Sequence, residues 1–373
     1  MSSKMKRICA MGLCVGMMLG CGTACSGKPK KVEIPPIEVL SEKPIYKMDG
    51  FMNYYAWPSV TKIGGGKLLA VVSQRYQHVD PYGRVVGFIS EDNGETWSEP
   101  FLIADTVLDD RDAGVVYWQG KIIVTWFTHS RNYYIASNDP VWIERSLEVP
   151  EEEDAKFAGG LITISEDEGK TWSTPEKIDV FTPHGIQIMP NGNLGYIGYV
   201  GYDRDKCGFT KGIGMITSAD GVNWSAVTSV TGTGYDEPGY VFVDESTVLV
   251  YLRKADGLYQ STSKDGGASF SQPEKIMDDV ANTPVHVFTT SQGVLVMTYG
   301  HRSEPFGLQA KLSYDKGETW SEAIVLTDDG FEWDLGYSCT VELSDGTLYT
   351  VYYQKMDVMD ENTCLMGVHW KIG

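Results

Sequence analysis

The sequence predicts an all-β protein folded as a six-bladed β-propeller, and three observations carry that prediction. One turn motif recurs five times. Pairs of apolar runs joined by glycine-bearing turns fill the intervals between its copies. The composition, with 41 Gly, 10 Trp and 21 Tyr in 373 residues, suits many short aromatic strands linked by tight turns.

The motif reads Ser90-Glu-Asp92-Asn-Gly94-Glu-Thr96-Trp97 and returns as Ser165-Glu-Asp167-Glu-Gly169-Lys-Thr171-Trp172 and Ser313-Tyr-Asp315-Lys-Gly317-Glu-Thr319-Trp320. Looser copies are Ser218-Ala-Asp220-Gly221-Val-Asn-Trp224, one residue shorter, and Ser263-Lys-Asp265-Gly-Gly267-Ala-Ser269-Phe270. An Asp side chain accepts hydrogen bonds from backbone N–H groups just ahead of it, and Gly supplies the positive-φ residue of a tight turn. The Trp or Phe then plugs the space between sheets. This is the Asp-box, a structural staple rather than a piece of chemistry.

The five Asp are separated by 75, 53, 45 and 50 residues, close to the roughly 40–50 residues of a four-stranded propeller blade. The long first gap holds a polar, acidic insertion, Asn132 to Asp154, which reads as a lid over the site or a mobile loop. Strand pairs such as Gly114–Trp118 with Lys121–Trp126, and Tyr240–Val243 with Thr247–Leu252, fill the intervals. After the last box, Cys339–Leu343 and Thr347–Tyr352 are followed by Leu365–Lys371. A strand near Ile37–Tyr46 is expected to complete the sixth blade and remove the exposed edge. The propeller is assigned to residues 36–373.

Residues 1–20 read as an export signal. Lys4, Lys6 and Arg7 precede an apolar stretch of 12 residues, Ile8 to Leu19, too short for the roughly 20 that span a bilayer. The segment resembles a bacterial lipoprotein signal, with Cys21 as the acylation site and Cys25 as the weaker candidate. Residues 21–35 form a tether. The expected location is the envelope of a Gram-negative bacterium, periplasm or cell surface, with a lipid anchor in the outer membrane. The chain carries a formal charge of −19, and removing three positive residues takes it to −22. With no basic stripe, this excludes nucleic acid as a partner. Cys207, Cys339 and Cys364 remain after the signal, an odd number without metal-ligand spacing. A Cys339–Cys364 bridge is permitted by the sequence and supported by nothing in it. No metal, cofactor or obligate protein partner is called for.

If strands run A to D outward from the axis, the Asp-boxes lie at C–D turns, and the starts of A strands face the opposite, axial mouth together with the B–C loops. A-strand starts carry Trp57-Pro58, Arg111-Asp112, His184, Glu237, His286 and Tyr337. The B ends and B–C loops carry Arg75, His78, Asp80, His129, Tyr199, Tyr202, Arg253, Arg302 and Tyr353. Arginine and histidine are over-represented here for an acidic protein, which marks the mouth as functional.

The Asp-boxes, together with Gly336-Tyr337-Ser338 leading into Val341-Glu-Leu-Ser-Asp-Gly346, resemble the sialidase (neuraminidase) superfamily. The resemblance implies that Tyr337 is the nucleophile and Glu237 the carboxylate that activates it. Arg253 and Arg302 match substrate-binding arginines. Asp80 falls near the family's acid/base aspartate, and Asp112 competes for that role. The sequence departs from the family at the start of blade one, where Arg-Ile-Pro is replaced by Ala56-Trp57-Pro58. The acidic partner of that arginine, expected near Tyr353, is also replaced. Arg75, Arg111 or a histidine (His78, His184, His286) is then expected to help bind the substrate.

The implied chemistry is retaining exo-hydrolysis of a terminal, acidic sugar from a glycan. Tyr337 would attack the anomeric carbon, Glu237 would take its proton, and Asp80 or Asp112 would act as acid and base. Two readings compete: hydrolysis or lyase action on a different sugar, and a non-catalytic glycan-binding propeller.

Overall fold

In the computed structural model, residues 34–47, 50–357 and 362–373 are described. The signal 1–20, Cys21, Cys25 and the tether up to residue 33 lie outside the described residues. The strands assemble into six blades with inner-to-outer order A–B–C–D. Blade 1 is Tyr54–Lys62, Leu68–Arg75, Arg84–Ser90 and Phe101–Ala104, and blade 2 is Asp110–Trp118, Lys121–Thr128, Gly159–Ser165 and Glu176–Lys177. Blade 3 has a broken inner strand, Val180–Phe181 and Gln187–Ile188, both paired with Leu194–Val200. Inner strands Asp236–Phe242, Val285–Thr289 and Gly336–Glu342 begin blades 4, 5 and 6. The outer strand of blade 6 comes from the N-terminal side: Ile37–Tyr46 pairs antiparallel with Cys364–Ile372. The first and last described strands thus share one sheet.

Strand alternation sends side chains from both faces of each blade into the seams, so the core is a series of apolar layers between neighbouring blades. Leu69, Val85, Val124 and Trp126 fill the seam of blades 1 and 2. Val296, Leu308, Tyr352 and Trp370 fill that of blades 5 and 6. Cys339 and Cys364 are free thiols buried in separate layers, so the Cys339–Cys364 bridge that the sequence permits is not made.

Every Asp-box closes on itself. In the first, Ser90 Oγ accepts the Gly94 N–H (2.8 Å), Asp92 Oδ1 accepts the Thr96 N–H (2.8 Å), and Asp92 Oδ2 accepts the Thr96 hydroxyl (2.6 Å). The short box keeps the same logic with Asn223 in place of threonine, its N–H and side-chain amide both reaching Asp220. The insertion in blade 2 is neither loose nor a simple loop. It folds into three helices, Arg131–Ile135, Pro140–Leu147 and Glu151–Phe157, with Ser130 and Asp139 capping the first two. Asp154, fully buried, ties them down by accepting from Ser130 Oγ, the Arg131 N–H and Arg204 Nε.

The box glycine is required for two reasons that can be separated. Gly94 has φ +88°, and a Cβ there would run into the Tyr349 ring. Gly192 has φ +84° with nothing near a Cβ. Gly192→Ala is expected to cost only the left-handed backbone term, about 1 kcal/mol. Gly94→Ala adds steric overlap and is expected to cost about 2–4 kcal/mol. Chemical denaturation of the two variants checks the difference.

Candidate active site

Four inner strands carry the same irregularity at the axial mouth. In each, the register with the second strand skips two residues: between Ala56 and Ser59, Arg111 and Gly114, Asp236 and Gly239, and Gly336 and Cys339. The first skipped residues are Trp57, Asp112, Glu237 and Tyr337. Three of them sit in the left-handed region, Trp57 at φ 56°, Asp112 at φ 58° and Tyr337 at φ 47°. A bulge re-aims a side chain that would otherwise point into a seam, and non-glycine residues hold such a conformation only where the surrounding fold enforces it. The repeated bulge gathers these four residues around the hub.

Tyr337 donates its phenol proton to Glu237 Oε1 at 2.6 Å. Arg253 Nη1 pairs with Glu237 Oε2 and lies 3.4 Å from the Tyr337 oxygen. Its Nη2 donates to Asn282 Oδ1 at 2.9 Å. The Arg302 guanidinium stands 5.3 Å from the centre of the Tyr337 ring and donates to the Leu335 carbonyl at 2.9 and 3.1 Å. Among the described residues no carboxylate pairs with Arg302, so its charge is balanced by carbonyl oxygens alone. Burial and the adjacent Glu237 push the Tyr337 phenol well above its ordinary range, against the pull of Arg253 and Arg302. A free phenolate is disfavoured, so the proton must pass to Glu237 as the oxygen reacts.

Asp112 faces this couple from blade 2. It is buried, and its Oδ1 has no hydrogen-bond partner. Burial raises its pKa to about 7, with Glu237 adding to the rise and Arg111 opposing it. Arg111 lies over the Trp57 ring at 4.5 Å and is held by Asp109 at 3.5 Å. Asp109 also pairs with Arg75 at 2.8 Å and accepts from Tyr134 of the helical insertion.

A cavity of about 250 Å³ opens onto Arg111, Asp112 and Glu237, with walls from Phe181, Tyr199 and Phe209. Its volume lies below the roughly 300–1,000 Å³ that encloses drug-sized ligands and suits one sugar ring. The Tyr199 and Phe209 rings stack at 5.5 Å. Tyr199 also accepts the Glu237 N–H at 2.7 Å, setting the height of the carboxylate. A larger cavity, about 480 Å³, lies at the outer rim between blades 2 and 3, around Trp172 and Trp224. It touches none of the hub residues, whereas the smaller axial one is lined by Arg111, Asp112 and Glu237, the hydrogen-bond partner of Tyr337, so the axial one is the candidate site.

The structure therefore brings together Tyr337, Glu237, Arg253, Arg302, Arg111 and Asp112. Four expected participants have other positions. Asp80 does not reach the couple: it is buried in its own loop, accepting the N–H groups of Tyr76, Gln77 and Tyr82 and pairing with Arg75 at 3.4 Å. Arg75 is wholly buried between Asp80 and Asp109 and supports the wall instead of binding at its surface. His184 and His286 face each other inside the ring, centroids 5.4 Å apart, and His286 Nδ1 accepts the Thr340 N–H. His78 stays at the mouth, bonded to Asp334 at 3.1 Å. Sequence reasoning missed Asn282 and Asp334, polar anchors on loops just before inner strands, and Phe209, carried by a short hairpin. Only the repeated bulge position could have signalled the hub residues as a set. Among the described residues no cluster of three or more His, Cys, Asp or Glu has metal-holding geometry.

The family described as BNR repeat-like domain matches residues 133–350, and the BNR/Asp-box repeat matches residues 88–99. No curated protein matches the sequence. Among solved structures, the chain is similar to a Dyadobacter fermentans protein of unknown function, at 21% identity and TM-score 0.71, covering 91% of this chain and 100% of that one. It is also similar to a mutant of the NanB sialidase from Streptococcus pneumoniae, at 15% identity and TM-score 0.66, covering 88% and 70%. A third is the leech intramolecular trans-sialidase complexed with 2,7-anhydro-Neu5Ac, at 17% identity and TM-score 0.62, covering 89% and 70%. At these identities the likeness establishes a sialidase-like propeller fold.

The two aspartates should separate in stability measurements. Asp80→Ala leaves Arg75 buried with one partner fewer and is expected to cost about 3–5 kcal/mol. Asp112 binds its proton more tightly folded than unfolded, so its contribution to stability falls as pH rises from about 4 to about 7. Asp112→Asn removes that fall. Denaturation at pH 5 and pH 8 should show the variant gaining on the parent at the higher pH.

Proposed function

The chain belongs to the family of BNR repeat-like domains, and from that premise we propose that it is a retaining, exo-acting glycoside hydrolase of the sialidase type. The observation that carries this reading is the Tyr337–Glu237 hydrogen bond with Arg253 bridging both partners. In the first step the Tyr337 oxygen attacks the anomeric carbon as its proton moves to Glu237. Arg253 stabilises the charge that develops between them. Asp112, protonated in a large fraction of molecules near neutral pH, gives its proton to the leaving oxygen. In the second step it takes a proton from water, which displaces tyrosine with overall retention as Glu237 returns the phenol proton to Tyr337.

The electrostatics favour an acidic sugar. Arg302 lies against the Tyr337 ring with no carboxylate of its own among the described residues, and a substrate carboxylate would complete its coordination by charge-assisted bonds. A neutral phenol nucleophile suits an anomeric centre that carries a negative group, since a carboxylate nucleophile would be repelled. The cavity ending on Asp112 and Glu237 would hold the terminal ring, which fits exo-action. The export signal and Cys21 extend the proposal to a lipid-anchored enzyme of the cell envelope. Cys21→Ser should release the protein from the membrane fraction while leaving its catalytic rate intact.

A fluorogenic sialoside and a panel of aryl glycosides test the reading directly. Release from the sialoside is expected; release only from another sugar would reassign the substrate, and saturable binding without release would make the protein a glycan-binding propeller. Glu237→Gln should lower kcat by about 10²–10⁴-fold, and Tyr337→Phe by at least as much, with thermal midpoints kept. The acid form of Asp112 is lost as pH rises through about 7. The kcat/KM profile should therefore fall on its alkaline side near that value, and Asp112→Asn should abolish this limb.

A further inference from the structure

We propose a second, non-catalytic binding site at the outer rim between blades 2 and 3, where Trp172 and Trp224 receive a two-ring segment of a neutral glycan. It lies at the Asp-box end of the propeller, away from the mouth, and does not depend on the role of Tyr337.

The site begins with the shortest outer strand in the ring. In blade 2 that strand is Glu176–Lys177, two residues long. Blades 1, 3 and 4 have four residues there, and blades 5 and 6 have seven and ten. The short strand pairs with its neighbour only at Leu161 and Ile162. The seam toward blade 3 is left open at the rim, and the cavity of about 480 Å³ occupies it, lined in part by Ile162, Ile164 and the exposed Val222.

The two tryptophans on this cavity differ from those of the other boxes. Trp97 packs on the Tyr349 ring at 5.9 Å, and Trp320 meets the Tyr251 ring at the same distance. Trp172 and Trp224, both half-buried, have no such ring neighbour among the described residues. Each packs against the apolar layer of a seam, as a box plug must, and leaves the rest of its indole to the cavity. Two adjacent boxes thus present aromatic surface that the fold itself does not cover.

Charge decides the class of ligand. The cavity carries two lysines and two glutamates. Lys121 and Glu166 pair with each other at 2.6 Å. Glu176 and Lys177 have no ion-pair partner among the described residues, so they offer one acceptor group and one donor group. The signs cancel, and neither an anion nor a cation is selected. A neutral sugar uses every feature: its C–H faces pack on the indoles, while its hydroxyls donate to Glu176 and accept from Lys177. The cavity has nearly twice the volume of the axial one, about 480 against 250 Å³, and the axial one suits a single ring. Two rings therefore fit. A site here holds the protein on a glycan chain without competing for the mouth.

Saturation-transfer NMR on the intact protein with lactose, cellobiose and maltose tests the site without requiring turnover. At least one disaccharide should bind, Tyr337→Phe should bind it equally, and Trp224→Ala should weaken it about tenfold. Because Trp224 also plugs a seam, Val222→Arg supplies a second variant. Val222 is 61% exposed, so the fold is kept while the longer side chain obstructs the cavity, and binding should fall at least tenfold. The rate on any glycoside that the parent cleaves should be unchanged in Val222→Arg. Failure of all three disaccharides to bind the intact protein, or undiminished binding by Val222→Arg, would overturn the site. Binding lost in Tyr337→Phe would overturn it too, by placing the sugar at the mouth. So would a dimer in sedimentation velocity that Val222→Arg dissociates, which would make the cavity an interface between copies.

Discussion

The hydrogen bond between Tyr337 and Glu237 is the interaction on which the rest of the mouth depends. It joins residues 100 positions apart and exists only if blades 4 and 6 hold their inner strands at a common height. Closure of the ring supplies that constraint. Ile37–Tyr46 completes the blade that carries Tyr337, and without it Cys364–Ile372 would present an unpaired edge. Buried hydroxyls reinforce the seam beneath: Thr298 bonds Thr340, Thr340 bonds Thr350, and Thr350 accepts from Trp370 Nε1. Misplacing blade 6 would break this polar chain, whose members have no water to replace their partners.

The cations of the mouth divide by what balances them. Arg75 is enclosed by Asp80 and Asp109, Arg111 leans on Asp109, and Arg253 is paired with Glu237. Such buried pairs mainly avoid the larger cost of an uncompensated charge. Arg302 stands apart, because among the described residues only carbonyl dipoles balance it. The same field acts on the acids. Asp109 sits between two guanidiniums, and although burial opposes ionisation they hold it below the ordinary carboxylate range. Asp112, three residues on, receives less of their field, and burial carries it to about 7. One short segment thus supplies an anchor that stays charged and an acid that can release its proton.

The propeller was legible because its stabilising unit is local. Ser90, Asp92, Gly94, Thr96 and Trp97 make nearly all of their box contacts within eight residues, so spacing alone reveals them. Tyr337, Glu237, Arg253 and Arg302 were legible through resemblance and through their places at strand ends. The roles within the mouth were harder to read, because they depend on which way a loop turns its side chains. Asp80 has the position of an acid/base, yet three backbone N–H groups capture it. His184 and His286 sit at inner-strand starts, but no bulge of the kind at Asp112 turns them to the surface. The insertion Asn132 to Asp154 reads as polar and acidic; its helical form depends on the buried contacts of Asp154, made with a strand-end arginine 50 residues away.

Where the resemblance implies Arg-Ile-Pro, the chain has Ala56-Trp57-Pro58, with alanine at the arginine's position and an indole beside it. The indole fills the space, enclosed by Tyr54, Tyr337 and Tyr353. Arg75 and Arg111 approach its ring at 5.1 and 4.5 Å, where attraction to the π face partly offsets their desolvation. Positive charge therefore reaches the hub from Arg75 of blade 1 and Arg111 of blade 2. Asp334, accepting from Tyr54 and Tyr353, also holds His78 at the rim. With no arginine at Ala56, an anionic group entering the mouth meets Arg111, Arg253 and Arg302 instead.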